Sequence, residues 1–384
     1  SNGTVSTHQG FMSNASVLGS GIDTRKVSAT FDSSNNKVVV VYNDSDTDKG
    51  MAVVGTVSNN AITFGTPVQF NNEAIQYVVA LFDTNANKVV VGYQTNSGQN
   101  LKGAVGTVSG TSISFGTPVT LYGNQVVWVA GCFDSNVNKC AFFFRNHSNQ
   151  GTGLVATVSG TSLTSGSGVD MLNGGVAFNI NNTGANFDSS NNKCVAAFRN
   201  ATDSNKGYAI VADISSSGNT LTFGQPVKFI DSTITGAEVG FDSNVNKCLI
   251  TYRDTSDNLH KARVGTVSGS GSSSTISYGT EATIHSTASD SSTTNRRIAF
   301  DSNINKFVFI YTDAINNDKR VILGTISGTV TVLGGVSENQ SSLTVGSAHY
   351  LKNDGTLSTT IASGREIGKA ISATKLLLTN ATIT

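Results

Sequence analysis

A heptapeptide that recurs six times constrains the fold of this chain more than any other feature of its 384 residues. Each copy reads Phe, Asp, Ser or Thr, Ser or Asn, any residue, Asn, Lys, and the copies begin at Phe31, Phe82, Phe133, Phe187, Phe241 and Phe300. Successive copies start 51, 51, 54, 54 and 59 residues apart. A period of this length indicates a repeat architecture, in which each repeat forms one supersecondary unit that buries its apolar face against its neighbours.

Each repeat contains four short segments of strand-forming residues. An apolar run ending in an aromatic, such as residues 38–42, follows the heptapeptide, and a second apolar stretch ends in Gly-Thr-Val-Ser or a relative. A fourth segment reads Phe-Gly-Thr-Pro-Val at Phe64 and Phe115. Val, Thr and aromatic residues favour strands, and the unbroken apolar run predicts a strand buried on both faces. We therefore predict an all-β chain in which residues 1–324 form a β-propeller of six four-stranded repeats.

The three prolines identify the outer edge of each predicted blade. Pro67, Pro118 and Pro226 occupy the same place in the fourth segment of three repeats. Proline cannot donate a hydrogen bond to a neighbouring strand and is confined to edges and bulges. The fourth segment is therefore predicted to be the edge strand.

The two ends of the chain depart from the repeat. Residues 13–32 align without a gap on residues 115–134, which predicts that residues 11–18 form a strand that completes the last blade and closes the ring. Residues 325–384 contain no further heptapeptide. They are predicted to form either a small C-terminal β module or a divergent seventh blade, so the blade number is six or seven.

Composition excludes several classes of partner. The 25 Lys and Arg residues balance the 25 Asp and Glu residues, which argues against binding to nucleic acid, and no apolar run is long enough for insertion into a membrane. Three of the four cysteines, Cys140, Cys194 and Cys248, occupy one equivalent position in different repeats, and Cys132 stands alone. Because equivalent positions in separate blades lie too far apart to bridge, all four are predicted to be buried free thiols.

Four residues are candidates for ligand binding. Arg145, Arg199 and Arg253 each follow the aromatic at the end of the second strand, and Trp128, the single tryptophan, lies in the first strand of the third repeat. Three equivalent arginines on one face would suit an acidic sugar. The alternative interpretation is that they pair with acids of the loops, such as Asp254.

The heptapeptide also raises the question of a metal. Asp134, Asn136 and Asn138 show the alternating oxygen ligands of a calcium loop, but the glycine and the bidentate glutamate of an EF-hand are missing. The alternative, which we favour, is a turn in which Asp and Asn side chains bind local backbone groups. We predict no metal and no cofactor.

The five histidines occupy unrelated repeat positions and no serine has a nucleophile-elbow context, so we predict that the chain is not an enzyme. A glycosidase would need carboxylates that converge in the central channel.

The repeats, from the heptapeptide to residues 106–119, resemble repetitive proteins encoded by marine bacteriophages and related viruses, and residues 334–374 are similar to a small C-terminal module of phage virion proteins. The resemblance implies a structural protein of the virion, associated with the tail, a fibre or the capsid and assembled in the host cytoplasm. It implies contacts with other virion proteins, with copies of itself or with a glycan of the host surface. The alternative is a free-standing propeller lectin that binds one sugar per blade.

Overall fold

The structure is a computed structural model that describes residues 22–58, 61–173, 176–177, 179–285, 297–312, 319–326, 330–332, 336–337, 348–351, 357–359, 365–372, 375–378 and 381–383. The chain divides into two compact units, Thr4–Ile326 and Ser327–Thr384, the latter together with Ser1–Gly3. The predicted closing strand at residues 11–18 lies outside the described residues. Within the described residues the fold is all-β, and the helical elements are two 3₁₀ turns, Ala201–Asp203 and Gly271–Ser273.

The described strands of the larger unit follow the six repeats. Those of repeats one to three are β1 (Ile22–Asp32), β2 (Lys37–Asp44), β3 (Lys49–Ser58), β4 (Ala61–Phe64), β5 (Val68–Asp83), β6 (Lys88–Thr95), β7 (Asn100–Ser109), β8 (Ser112–Phe115), β9 (Val119–Asp134), β10 (Lys139–Asn146), β11 (Gly151–Ser159), β12 (Ser162–Ser165), β13 (Val169–Asp170), β14 (Leu172–Asn173) and β15 (Val176–Ala177). Those of repeats four to six are β16 (Ile180–Asp188), β17 (Lys193–Asn200), β18 (Lys206–Ile214), β19 (Leu221–Phe223), β20 (Val227–Asp242), β21 (Lys247–Asp254), β22 (His260–Ser268), β23 (Thr275–Tyr278), β24 (Ala282–His285), β25 (Arg297–Asp301), β26 (Lys306–Thr312) and β27 (Lys319–Gly324).

Each repeat is an antiparallel meander, shown most clearly by the second. Its inner strand (residues 75–83) pairs with β6, and β6 pairs with β7. The fourth strand is split into two segments: β8 pairs with the C-terminal end of β7, and the first part of β9 pairs with the N-terminal end of β7. Pro118 lies in the break between these two segments, and Pro67 and Pro226 lie in the equivalent breaks. The fourth strand is therefore the edge, with the proline in its interruption, where no ladder hydrogen bond is lost.

Three strands of 16 residues, β5, β9 and β20, each serve two repeats. The first part of each completes the split fourth strand of one repeat, and the second part is the inner strand of the next. The pairing register shifts where the strand crosses over, and one residue at each crossing has a positive φ: Tyr77 (37°), Trp128 (60°) and Gly236 (64°).

The core lies between consecutive repeats. The apolar second strands are buried on both faces, and Val39 of repeat one and Val89 of repeat two belong to one cluster. The same arrangement joins Val90 to Phe142 and Cys194 to Phe143. This explains the unbroken apolar runs, because each face of the second strand packs against a different neighbour.

The heptapeptide forms the turn between the inner and second strands, in agreement with our favoured interpretation. In the third repeat Asp134 Oδ1 accepts hydrogen bonds from the backbone N–H groups of Asn136 (2.9 Å) and Val137 (3.2 Å), and Asn138 has a φ of 58°. The final lysine then anchors the third strand. In four repeats its Nζ donates to a threonine hydroxyl at 2.6–2.9 Å, in the pairs Lys37–Thr56, Lys88–Thr107, Lys247–Thr266 and Lys306–Thr325.

The glycine of the Phe-Gly motif marks a close approach between repeats. A Cβ atom built on Gly116 would overlap the carbonyl oxygen of Thr161, in the turn before the fourth strand of the next repeat. The same overlap relates three further pairs: Gly65 with Thr111, Gly166 with Asn219, and Gly224 with Ser274. These glycines therefore fix how closely neighbouring repeats pack at their periphery.

The prediction of four free thiols was wrong for two of them. Cys132 and Cys194 form a disulfide with a Cα–Cα distance of 6.8 Å, whereas Cys140 and Cys248 are buried and free. Cys132 lies on the inner strand of repeat three and Cys194 on the second strand of repeat four, and these strands face each other across the interface. Comparison of equivalent positions alone could not show this contact.

The inner strands surround a central cavity of about 570 Å³, which gives the larger unit a propeller-like arrangement. Arg297 of the sixth repeat lies on the cavity wall. Its Nη1 pairs with Glu238 of the fifth repeat at 2.9 Å, and its Nη2 donates to the Val27 carbonyl of the first repeat at 3.2 Å. The inner strand of repeat six thus contacts those of repeats five and one.

The smaller unit contains short strands: β28 (Val330–Val332), β29 (Val336–Ser337), β30 (Ala348–Leu351), β31 (Leu357–Ser358), β32 (Arg365–Ser372), β33 (Lys375–Leu378) and β34 (Ala381–Ile383). Five of them form a sheet in the order β29-β33-β32-β30-β31, and β28 pairs with β34. This order differs from the simple meander of the repeats. In the part of the chain that the structure describes, no helix is long and apolar enough to cross a membrane.

Candidate functional site

Two aromatic side chains stand together where inner strands begin. Tyr77 and Trp128 both lie five residues before the phenylalanine of a heptapeptide, and their ring centroids are 5.0 Å apart at an interplanar angle of 55°. Both residues adopt positive φ, a conformation that costs bulky residues of order 1–3 kcal/mol and that clusters at functional sites. In repeat five the same position is Gly236, which meets the requirement without strain. The two aromatic residues are therefore held at the crossover against their backbone preference.

Arg145 lies beside this aromatic pair. It ends the second strand of repeat three and is the backbone partner of Val127, next to Trp128. Its Nη1 donates to Asn181 Oδ1 at 2.7 Å and to Asn179 Oδ1 at 3.4 Å, both in repeat four. Burial lowers the pKa of the Arg145 guanidinium, although interaction with Tyr77 acts in the opposite direction. The side chain thus links repeat three to repeat four and interacts electrostatically with Tyr77 of repeat two.

The same position carries neutral amides in the first two repeats. Asn43 Nδ2 donates to the Ile75 carbonyl of repeat two at 3.0 Å, and Gln94 Nε2 donates to the Val126 carbonyl of repeat three. The shared task of this position is therefore a hydrogen bond to the inner strand of the next repeat. Arg145 performs the task through Asn181 and adds a positive charge.

Arg199 is the equivalent residue of repeat four. It is the backbone partner of Asn181, so that one asparagine contacts both arginines. Burial and the nearby positive charge of Arg145 lower the pKa of Arg199. Within the described residues neither Arg145 nor Arg199 forms an ion pair, and the Nε atom of each is buried without an acceptor. Asp254, the loop acid considered as a partner, pairs with Lys261 at 2.8 Å.

Arg253 belongs to a different environment. It is only 6% exposed, its Nη1 lies 3.5 Å from Thr235 Oγ1, and its Nη2 contacts Asn258 Oδ1. These are neighbours within its own repeat. The structure thus brings Trp128, Arg145 and Arg199 together and places Arg253 in the packing of repeat five.

Two residues at this site, Tyr77 and Asn181, were missed in the sequence. Tyr77 occupies the same position relative to its heptapeptide as Trp128, so alignment of the repeats would have identified it. Asn181 left no such signal, because its role depends on how repeats three and four pack. We name the group Tyr77, Trp128, Arg145 and Arg199 the aromatic–arginine cluster.

The structure gives little support to the calcium alternative. Oδ1 of Asp134 already accepts two backbone N–H groups, and Asn136 contributes one of these donors through its backbone. Burial raises the pKa of Asp134, although the two backbone hydrogen bonds act in the opposite direction. Among the described residues no three His, Cys, Asp or Glu side chains are grouped as metal ligands.

Carboxylates in the central cavity were the expected mark of a glycosidase. Of the described residues that line this cavity, Glu238 is the one acid, and it pairs with Arg297. Glycoside hydrolysis by the usual two-carboxylate mechanisms needs a second carboxyl group across the scissile bond.

No protein-family model matches the chain, and no curated protein matches its sequence. Similar solved structures include a protein from Lactobacillus plantarum (12% identity, TM-score 0.49, covering 79% of this chain and 85% of that one) and AofleA from Arthrobotrys oligospora (11%, 0.49, 81% and 89%). A third is the intramolecular trans-sialidase from Ruminococcus gnavus, solved with oseltamivir carboxylate (9%, 0.51, 83% and 96%). At these identities the likeness concerns the fold alone, and the neighbours are propeller-type folds.

The likeness to the trans-sialidase corrects the prediction that the chain is not an enzyme. That prediction rested on the absence of a familiar catalytic motif in a repeat protein. A solved structure of the same general fold is an enzyme, so this fold carries catalysis and does not by itself argue against it.

Proposed function

We propose that the larger unit recognises a glycan on a host surface through the aromatic–arginine cluster, and that the chain is a component of a virus particle. The observation that carries the proposal is the contact between Tyr77 and Trp128, both with positive φ, beside two arginines that form no ion pair with the described residues. Backbone strain of this kind persists only where the surroundings impose it, and it is concentrated at functional sites.

The chemistry of the cluster suits a sugar. Aromatic rings offer an apolar face for the C–H groups of a pyranose, and a few polar groups then fix its orientation. Tyr77 and Trp128 supply such faces, and Asn181 and the two arginines supply polar groups from neighbouring strands. The second strands beneath them are buried, so the cluster stands on a rigid support.

The virion context rests on the resemblance of the repeats and of residues 334–374 to phage proteins. We propose that the particle is assembled in the host cytoplasm and that the chain contacts other virion proteins or copies of itself. The strand order of the smaller unit, which differs from that of the repeats, supports a separate C-terminal module over a seventh blade. The contacts of Arg297 with Glu238 and Val27 support a closed ring of six blades.

The free-standing lectin remains the second candidate function. Binding of one sugar per blade predicts equivalent aromatic residues in every repeat. The position of Tyr77 and Trp128 is Lys26 in repeat one, Asn182 in repeat four and Gly236 in repeat five. This distribution favours a single site that spans repeats two to four.

Glycan binding is tested with Trp128→Ala. We expect the purified protein to bind glycans on an array and the variant to lose at least tenfold in affinity, as for a central aromatic contact. Val57→Ala is the control, because Val57 is an exposed apolar side chain (56%) at the far end of the third strand. Equal glycan binding by the wild type and Trp128→Ala would contradict the proposal. Detection of the chain in purified virus particles would support the virion component over the free-standing lectin.

Ring closure is tested by a disulfide between the first and last repeats. In the Cys132–Cys194 disulfide, Cys132 directly precedes the phenylalanine of one heptapeptide. Cys194 directly follows the lysine of the heptapeptide in the next repeat. The corresponding residues of repeats six and one are Ala299 and Val38. In a six-bladed ring the double variant Ala299→Cys with Val38→Cys forms a bridge without reductant, whereas an inserted seventh blade leaves both thiols free.

A further inference from the structure

We infer that the glycan bound by the aromatic–arginine cluster is acidic, and that its carboxylate or sulfate group lies against Arg199, with Arg145 beside it. This inference rests on the proposed function and names the chemical class of its ligand. It follows from the charge, the hydrogen bonding and the repeat equivalence of the two arginines.

The first step concerns charge. Several other partly buried cations of the larger unit have an acidic partner, as in Lys193–Asp213 (2.7 Å) and Lys261–Asp254 (2.8 Å). Arg145 donates to the side chain of Asn181, the backbone partner of Arg199, so the two positive charges lie close together, and within the described residues no acid pairs with either. Two like charges at a partly buried site are stabilised by an anion that both can reach.

The second step concerns hydrogen-bond donors. Arg145 uses Nη1 for Asn181 and Asn179, but its Nε is buried without an acceptor. The Arg199 side chain makes no hydrogen bond to the described residues, and its Nε is also buried. A guanidinium has five N–H donors in a planar fork that matches two oxygens of a carboxylate or sulfate. The Nη1 and Nη2 groups of Arg199 are therefore the donors that an oxyanion can reach.

The third step concerns what the fold itself requires. Asn43 and Gln94 satisfy this position in repeats one and two without any charge. Arg145 keeps the hydrogen bond to the next repeat, but the Arg199 side chain makes no such bond to any residue that the structure describes. The positive charge of Arg199 therefore has no structural task at the interface between repeats, and an anionic ligand gives it one.

The fourth step selects the class of anion. A nucleotide also combines a ring for stacking with a negative charge, but nucleic-acid binding relies on a basic surface that tracks the backbone. This chain has equal numbers of basic and acidic residues, so no net positive charge favours a nucleic-acid backbone. An acidic saccharide, with a ring against Trp128 and Tyr77 and one charged substituent, fits a site of this size.

The first experiment uses small anions, so that the sugar need not be known. We expect sodium sulfate or sodium acetate at constant ionic strength to raise the melting temperature of the wild type, and Arg199→Gln to lose this rise. Glutamine is the natural residue at the equivalent position of repeat two, so the variant should fold with an unchanged or higher melting temperature. Arg263→Gln, which removes an arginine of repeat five, is the control for charge and should keep the response.

The second experiment compares matched saccharides. We expect the wild type to bind galacturonic acid or galactose 6-sulfate oligosaccharides at least tenfold more tightly than the neutral galactose oligosaccharide, with the stronger of the two acids identifying the preferred group. Arg199→Gln should abolish this preference, and Trp128→Ala should weaken binding of all three.

The two proposals fail in different ways. If neutral glycans bind with the same dependence on Trp128 as acidic ones, or if neither anion stabilises the wild type, the ligand is not acidic although the glycan site stands. An anion response that persists in Arg199→Gln also overturns the inference. If no glycan binds, the proposed function itself is refuted, and tighter binding to a single-stranded oligonucleotide than to any saccharide assigns the cluster to nucleic acid.

Discussion

The close approach of neighbouring repeats at Gly116 gives a prediction that can be worked through from the structure. The Gly116→Ala substitution adds a methyl group that would overlap the carbonyl oxygen of Thr161 in the next repeat. Because the obstacle is backbone, a side-chain rotation cannot relieve the overlap. The turn that contains Thr161, or the segment that contains Gly116, must move by more than an ångström.

The expected cost combines two effects. Overpacking of a tight contact costs about 1–3 kcal/mol, and a displacement of this size belongs at the upper end of that range. Movement of Gly116 also weakens its N–H hydrogen bond to the Val105 carbonyl (3.0 Å), with a net contribution of about 1 kcal/mol. We therefore expect a loss of about 3–4 kcal/mol in the free energy of unfolding, seen as a melting temperature lower by roughly 5–10 °C.

The fifth repeat provides a matched control at the equivalent position. Gly279 also donates to a third-strand carbonyl, Val264 O at 2.9 Å, but among the described residues a Cβ built there meets atoms only at 3.8 Å and beyond. Gly279→Ala should change stability by less than about 0.5 kcal/mol. Urea and thermal unfolding followed by circular dichroism measure both variants. An equal loss in Gly279→Ala and Gly116→Ala would show that the cost is local to the motif and does not come from the neighbouring repeat.

Three further predictions concern the disulfide and one buried acid. Replacing Cys132 and Cys194 by Ala opens a link between residues 62 apart and should lower the free energy of unfolding by about 4 kcal/mol on the chain-entropy treatment, as measured by urea unfolding. Asn186 occupies the position in repeat four that Cys132 occupies in repeat three, so Asn186→Cys should form a second disulfide, with Cys248. Thiol titration of the unreduced, denatured variant should then find one free thiol, whereas the wild type has two. A count of three free thiols would refute this prediction. Burial raises the pKa of Asp254, but hydrogen bonds from a lysine and a serine outweigh it and hold the pKa at about 2, below the ordinary 3.8. The stabilisation of the fold by ionised Asp254 is therefore complete above pH 4 and lost as the pH falls towards 2. Asp254→Asn should lower the free energy of unfolding by about 2 kcal/mol at pH 7 and remove most of its change between pH 4 and 2. An unchanged dependence of stability on pH would contradict this assignment.

The sequence predicts the repeat and its strands because both depend on local chemistry. The heptapeptide specifies its turn through Asp134 and its equivalents, and the prolines mark the interruption of the edge strand. Unbroken apolar runs such as residues 38–42 predict burial on both faces, since no exposed strand would tolerate them. These features could be predicted without knowing how one repeat meets the next.

Features that depend on contacts between repeats could not be predicted in this way. Cys132 and Cys194 occupy different positions in their repeats, so comparison of equivalent residues placed them apart, whereas packing brings them together. Arg199 and Arg253 look alike in the sequence, yet one lies beside Arg145 and the other contacts neighbours within repeat five. Their side-chain contacts distinguish them, and these contacts form only in the assembled fold.

The strand that serves two repeats has a consequence for how such a chain can gain or lose repeats. The first part of β9 is the outer strand of one repeat, and its second part is the inner strand of the next. A recombination point within β9 would therefore join the outer strand of one repeat to an inner strand that did not evolve with it. A break in the heptapeptide falls in a turn whose sequence is nearly the same in all six copies. Recombination between two such turns removes or adds one full period and leaves every strand intact. The heptapeptide is thus both a turn of the fold and the place where the number of repeats can change.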